Sequence, residues 1–255
     1  MKKRILTVVM ALAFVVGLSG MALADSNYAQ QEQYGGGGDS ATIEQYGHNV
    51  AYQWQNYYQG LSGGDNIAEI FQEGTGNIAS QVQEGIENEA YITQIGNDNY
   101  ANIYQDGIGN RALQRQNAFG APGDKNTAYI EQHGTNSGNS PWGFDVVGAA
   151  QKQFGDDNFA SIYQDGWENY AKSIQTGDGN DVFQSQTGEY NYGIATQTGD
   201  GNSISQDQDG NYNRSIATQT GDNNSISQNQ TGNWHYSIVT QTGNGNAATV
   251  TQGNF

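Results

Sequence analysis

Glutamine returns every eleven residues along this 255-residue chain. One series is Gln72, Gln83, Gln94, Gln105 and Gln116; a second is Gln153, Gln164, Gln175, Gln186, Gln197, Gln208, Gln219, Gln230, Gln241 and Gln252. Glycine follows nearly every one by two residues. Asparagine usually follows by five: Asn77, Asn88, Asn99 and Asn110, then Asn158, Asn169, Asn180, Asn191, Asn202, Asn213, Asn224 and Asn246, with His235 breaking the second run. Carboxamides at fixed spacing offer one kind of chemistry: each donates and accepts hydrogen bonds, so identical amides side by side can form a chain. Residues capable of covalent chemistry are not arranged for it. His48, His133 and His235 share no phase, cysteine is missing, and the carboxylates scatter, so the usual nucleophile and metal sets are not assembled. No catalytic site and no cofactor is expected. Asp178, Asp200 and Asp222 follow turn glycines at 22-residue spacing. Calcium needs several oxygen ligands at once, so these three are read as solvated turn acids acting as gatekeepers against premature association.

The elements that carry the amides follow from a period of two. In Asn99-Tyr-Ala101-Asn-Ile103-Tyr-Gln105 the residues Ala101, Ile103 and Gln105 share one face. Ala68-Ile70-Gln72 and Ala160-Ile162-Gln164 repeat that trio, and Ala79-Gln81-Gln83 and Ala149-Gln151-Gln153 place a second glutamine in its middle. Such alternation predicts half-buried strands, and no helical period competes. The Gly-x-x-Asn that follows is turn chemistry, with glycine and asparagine both tolerant of positive φ. Two kinds of unit alternate in the last third of the chain, so the true repeat is 22 residues: strand, turn, strand, turn. The expected fold is all-β, a two-sided β-solenoid with a parallel sheet on each side. Eighteen strands from Gln45 to Gln252 make nine coils, about 43 Å tall at the usual interstrand spacing.

The ends and interruptions differ in composition. Lys2-Lys3-Arg4, an apolar run from Ile5 to Gly20 and Ala22-Leu23-Ala24 read as a signal peptide over 1–24. Residues 25–40, with Gly35 to Gly38, are expected to be a flexible export segment without the repeat. The solenoid should occupy 41–255, with insertions near 117–121 and 133–148; the only prolines, Pro122 and Pro141, fall at the edge of the first and within the second. Beyond the leader six cationic residues face 26 acidic ones. That net charge of −20 argues against a nucleic-acid partner, which needs a basic footprint.

Burying an unpaired amide costs several kcal/mol. Stacked at ~4.8 Å, identical glutamines pair along the axis, as in cross-β amide ladders. The pattern Gln105-x-Gly107-x-x-Asn110-x-Ala112-x-x-x-Gln116 resembles the curlin repeat of bacterial curli subunits, and the resemblance covers most of the chain. Gln33-Tyr34-Gly35-Gly36-Gly37-Gly38 is similar to the Gly-rich export leader of the major subunit. The resemblance implies a secreted, self-polymerising functional amyloid that forms adhesive cell-surface fibres in a biofilm matrix. It also implies partners: a nucleating minor subunit and a dedicated outer-membrane export pore.

The last unit, Asn246 to Gln252, is a full strand with no capping helix or proline after it, and an open strand edge favours head-to-tail growth. A competing reading is an ice- or ligand-binding solenoid, because Thr196-x-Thr198, Thr218-x-Thr220 and Thr240-x-Thr242 recur at outward positions. From Asn223 to Phe255 there is no Asp, Glu, Lys or Arg, which marks this end as the fast-docking edge. Ser227→Asp with Thr249→Asp should therefore lengthen the assembly lag strongly. Two aspartates at outward sites within 66–116 should lengthen it less; equal lags would spread nucleation along the whole stack.

Overall fold

The computed structural model describes residues 27–34, 39–56, 65–116, 123–135 and 148–253. The expected signal peptide, the Gly35–Gly38 run and the insertion at 117–121 lie outside them. So does most of the second insertion; its first residues, 133–135, belong to a strand.

All regular structure among the described residues is strand. In chain order the strands are β1 (Tyr28–Tyr34), β2 (Ser40–Asn56), β3 (Ile67–Ile86), β4 (Glu89–Asn97), β5 (Tyr100–Ile108), β6 (Arg111–Gln116), β7 (Gly123–Asp124), β8 (Thr127–Thr135) and β9 (Ala149–Phe154). They continue as β10 (Phe159–Trp167), β11 (Tyr170–Thr176), β12 (Asp181–Glu189), β13 (Tyr192–Thr198), β14 (Ser203–Asp209), β15 (Arg214–Thr220), β16 (Ser225–Thr231), β17 (Tyr236–Thr242) and β18 (Ala247–Gly253). Every pairing is parallel, and from β5 onward each strand pairs with strands a full coil away rather than with its neighbours in sequence, as in β14 with β16 and β15 with β17. The chain is a β-solenoid of about nine turns with roughly 22 residues per turn.

β2 and β3 each bend and serve both sheets. One sheet contains β1, Val50–Asn56 of β2, Ile78–Ile86 of β3, β5, β8, β10, β12, β14, β16 and β18. The other contains Ser40–His48 of β2, Ile67–Thr75 of β3, β4, β6 with β7 completing its rung against β4, β9, β11, β13, β15 and β17. The interior between them is thin. Alanine and isoleucine fill it, with Ala90, Ala101, Ile103 and Ile130 at 0–1% exposure.

Two sequence expectations need correction. Residues 25–40 are not a featureless segment, because Tyr28–Tyr34 is β1, in register with Val50–Asn56. The reason is visible in retrospect: Asn27-x-Ala29-x-Gln31-x-Gln33-x-Gly35 has the spacing of Asn77-x-Ala79-x-Gln81-x-Gln83-x-Gly85. The second correction concerns the turns. Glycine does take positive φ, but its partner is the residue before the asparagine, as in Glu87, Asp98, Glu168, Tyr190 and Tyr212. The ladder asparagine is freed from bending the chain, and its side chain caps the turn instead.

The turn glycine is fixed by the stack as well as by its own φ. At Gly107, with φ of 127°, a Cβ would run into the carbonyl oxygen of Gly134 one coil away, whereas at Gly179, with φ of 62°, a Cβ would meet nothing within 4 Å. Both substitutions to alanine carry a left-handed backbone penalty of about 1–3 kcal/mol. Gly107→Ala should lower the urea midpoint of the soluble chain clearly more than Gly179→Ala, because it also forces two coils apart. Equal midpoints would show that turn strain alone selects glycine.

Candidate functional site

The chemistry of this molecule lies in columns of amides that run its whole height. In the sheet that contains β1, glutamine Nε2 donates to the Oε1 of the next coil from Gln33 to Gln55, Gln83, Gln105, Gln132, Gln164, Gln186, Gln208, Gln230 and Gln252, at 2.7–3.0 Å. In the other sheet the same chain runs from Gln45 through Gln72, Gln94, Gln116, Gln153, Gln175, Gln197 and Gln219 to Gln241, at 2.7–3.1 Å. Neither column is interrupted, although loops of different length intervene. Alternation turns every one of these side chains inward, and from Gln72 to Gln230 they are almost wholly buried.

Each interior glutamine has a second amide hydrogen, and most of them send it across the core. Gln83 Nε2 reaches the carbonyl of Ile67, Gln94 that of Ile78, Gln105 that of Glu89 and Gln186 that of Tyr170, all at 2.9–3.2 Å. The two sheets are thus tied by hydrogen bonds as well as by alanine and isoleucine packing. Sequence periodicity gave no sign of these ties, since the carbonyls that accept them carry no sequence signature.

Asparagine forms its own columns at the turns, with the opposite donor direction. The backbone N–H of Asn99, Asn126, Asn158, Asn180, Asn202, Asn224 and Asn246 donates to the Oδ1 of Asn77, Asn99, Asn126, Asn158, Asn180, Asn202 and Asn224 respectively, at 3.0–3.1 Å. The other column joins Asn66, Asn88 and Asn110, then Asn169, Asn191 and Asn213. Its last member is His235, whose N–H donates to Asn213 Oδ1 at 3.0 Å. Asparagine Nδ2 in turn donates to the glycine carbonyl one coil on, as from Asn77 to Gly96 and from Asn202 to Gly221. Asn27 and Asp39 begin the two columns, accepting from Asn49 and Asn66 at 2.9 Å. Sequence reasoning missed both. The six-residue distance to Gln33 and Gln45 was the available signal.

The aspartates Asp178, Asp200 and Asp222 lie on one turn edge in an exposed column. The Oδ1 of each accepts the backbone N–H of the preceding coil, from Asp156, Asp178 and Asp200, at 2.8–3.0 Å. Asp124 and Asp156 extend the column on one side and Asn244 on the other. Like charges are thereby held one strand spacing apart. The opposite turn edge carries an aromatic column, Tyr190–Tyr212–Trp234, with centroids 4.8 and 4.2 Å apart and nearly parallel rings. Beside it Arg214 lies between the rings of Tyr192 and Tyr236, 5.2 and 5.3 Å away.

Where the middle inward residue changes from isoleucine to glutamine, a short second ladder begins, such as Gln184–Gln206–Gln228 at 2.7 and 2.8 Å. Its first acceptor has no donor beneath it. The Oε1 atoms of Gln114 and Gln184 are buried without a partner for this reason, and that of Gln53 because Gln31 beneath it directs its Nε2 to the Ala41 carbonyl. Phe71, Tyr104 and Tyr163, on the outward faces of their strands, are half-buried; His133 packs between Tyr104 and Tyr163 at 5.6 and 5.9 Å. Desolvation pushes the Tyr104 and Tyr163 hydroxyls above the usual phenol range, with nearby carboxylates adding to it, and desolvation also raises Asp181. The threonines of the competing reading do form ranks: Thr196–Thr218–Thr240 and Thr198–Thr220–Thr242 are in register, and Thr176 extends the second. Among the described residues no group of three or more His, Cys, Asp or Glu is placed to hold a metal ion.

A ladder of inward glutamines, a glycine two residues on and an asparagine at the turn is the pattern of a known repeat. The curlin associated repeat matches residues 63–96, 96–134, 155–183 and 229–253. The chain is a curlin-repeat protein. No curated protein matches it. The curlin repeat is a structural family rather than an enzymatic one. The unmatched coils between 183 and 229 keep the same register, and β13 to β15 pair there residue for residue.

Gln105 tests the ladder. It accepts from Gln83 at 3.0 Å and donates to Gln132 at 2.9 Å. Gln105→Leu should leave a buried donor and a buried acceptor unpaired, each costing about 1–3 kcal/mol. Asn102→Ala, on the outward side of the same strand, should cost well under 1 kcal/mol. Chemical denaturation of the soluble chain measures the difference, and similar losses would remove the ladder as the source of stability.

Proposed function

We propose that this curlin-repeat protein is the structural subunit of an extracellular, curli-like amyloid fibre. In this reading it is exported across the outer membrane, polymerises by stacking its solenoid ends head to tail, and serves adhesion and the biofilm matrix. By the same family logic, a minor subunit nucleates it and a dedicated pore exports it.

The observation that carries the reading is the directed ladder. Every glutamine column donates one way, so one end of the stack presents acceptors and the other donors. Gln33 and Gln45 each donate onward and leave Oε1 at one end; Gln241 and Gln252 each accept from below at the other. Among the described residues β17 and β18 each pair on one side only. Unpaired edges that match in direction and register support non-closing, head-to-tail growth. The stacked aspartates oppose that growth, since two unit charges ~4.8 Å apart in water repel by roughly 1 kcal/mol.

The chain without residues 1–24 should form fibres with reflections near 4.8 Å along the axis and near 10 Å across it. Assembly should accelerate as pH falls toward the carboxylate range or as salt rises. A chain that stays soluble and shows thermal hysteresis would favour the threonine ranks instead. Lag times indifferent to pH and salt would show that the aspartate column does not gate assembly.

A further inference from the structure

Among the described residues the two sheets do not hold the same number of rungs. The sheet that begins with β1 and ends with β18 has ten, and the other has nine, with β7 completing the β6 rung against β4. A fibre of stacked copies has a single axial repeat, which both sheets must share. Rungs are ~4.8 Å apart, so ten against nine leaves one rung open per copy in the smaller sheet. An unfilled rung strands backbone N–H and C=O groups that a continuous fibre would pair.

β1 is the surplus strand. Among the described residues it pairs only with β2, and its inward Ala29 remains exposed. The strand beneath it is an interior one, with Ala51, Gln53 and Gln55 at 0–2% exposure. β1 holds that place through two recurrent contacts: Gln33 Nε2 to Gln55 Oε1 at 2.7 Å and Asn49 N–H to Asn27 Oδ1 at 2.9 Å. β18 carries the same groups in the same phase, Asn246, Ala248 and Gln252, and has Val250 where β1 has Gln31. That exchange forfeits no rung. Gln31 Nε2 is directed to the Ala41 carbonyl, and Gln53 Oε1 has no donor even with β1 in place.

We propose that β18 of a second copy of this chain takes the place of β1 on β2, so that β1 is displaced at each junction inside a fibre. The inference rests on the fibre reading. With β1 out, each copy contributes nine strands to each sheet and the stack is seamless. Gln252 Nε2 then donates to Gln55 Oε1 of the next copy, and Asn246 Oδ1 accepts from its Asn49. In the other sheet β17 meets Ser40–His48, which brings Val239 beside Ile43, the half-buried aliphatics that border the two core clusters. It also places His235 against Asp39. These two residues are the departures from asparagine at opposite ends of one column, and the junction makes them an imidazole–carboxylate pair. β1 thus blunts the growth edge of the free chain by imitating the strand that will replace it.

Hydrogen exchange read by mass spectrometry on soluble chain and on fibres tests this. Amides of Tyr28–Tyr34 should exchange about tenfold or more faster in fibres than in the soluble chain, while Val50–Asn56 stay protected in both. A variant lacking residues 25–34 should extend full-length seeds several-fold faster. Fibres in which Tyr28–Tyr34 are as protected as Val50–Asn56, or a deletion variant that extends seeds no faster, overturn the displacement and leave the fibre reading standing. A chain that forms no fibres in either version overturns both.

Discussion

A buried carboxamide must find both a donor and an acceptor, and here it finds them in a copy of itself one strand spacing away. The rest of the structure depends on that constraint. Identical residues can stack at ~4.8 Å only if strands are parallel and in register. In-register parallel strands in one chain require a full coil between partners, which sets the 22-residue repeat. The coil must turn twice without tilting the stack, so the turn backbones approach until a Cβ at Gly107 would collide with the next coil. A one-residue slip would expose every ladder glutamine and bury outward charges, so register is held by all coils together.

Direction is the second consequence. Glutamine side chains donate toward the C-terminal end, and asparagine side chains accept from it. Aligned amides polarise one another along a column, and no rung can be reversed alone without placing two donors or two acceptors face to face. Where the second glutamine ladder starts on top of an isoleucine, its first Oε1 stays unpaired. The main ladder avoids that cost by never stopping. The longer loops change the sequence distance between Gln116 and Gln153, yet the two amides meet at 3.0 Å, because the stack fixes the rung and the loop accommodates.

The solvent-facing columns differ in kind. The carboxylate column repels itself, while the Tyr190–Tyr212–Trp234 column attracts through stacking. Both are by-products of a geometry that places like beside like on every face. Selection on a repeat unit therefore acts through a column rather than through a residue, and one substitution is felt by the coils on either side.

The sequence by itself determined the coil. Eleven-residue phase, inward Ala-Ile-Gln faces, turn glycines and the interior place of Gln105 or Asn99 follow from periodicity and the cost of burying amides, and each is legible in one unit. Only the tertiary structure decided what lies between units and at the ends. The bonds from glutamine to the opposite sheet end on backbone carbonyls, which leave no mark in the sequence. The residue that takes positive φ is the one before asparagine, because the asparagine side chain is held by the next coil. β1 was hidden because its unit stands twelve residues from Gln45 rather than eleven. A period counts spacing along the chain, whereas a rung requires only that Gln33 and Gln55 arrive side by side.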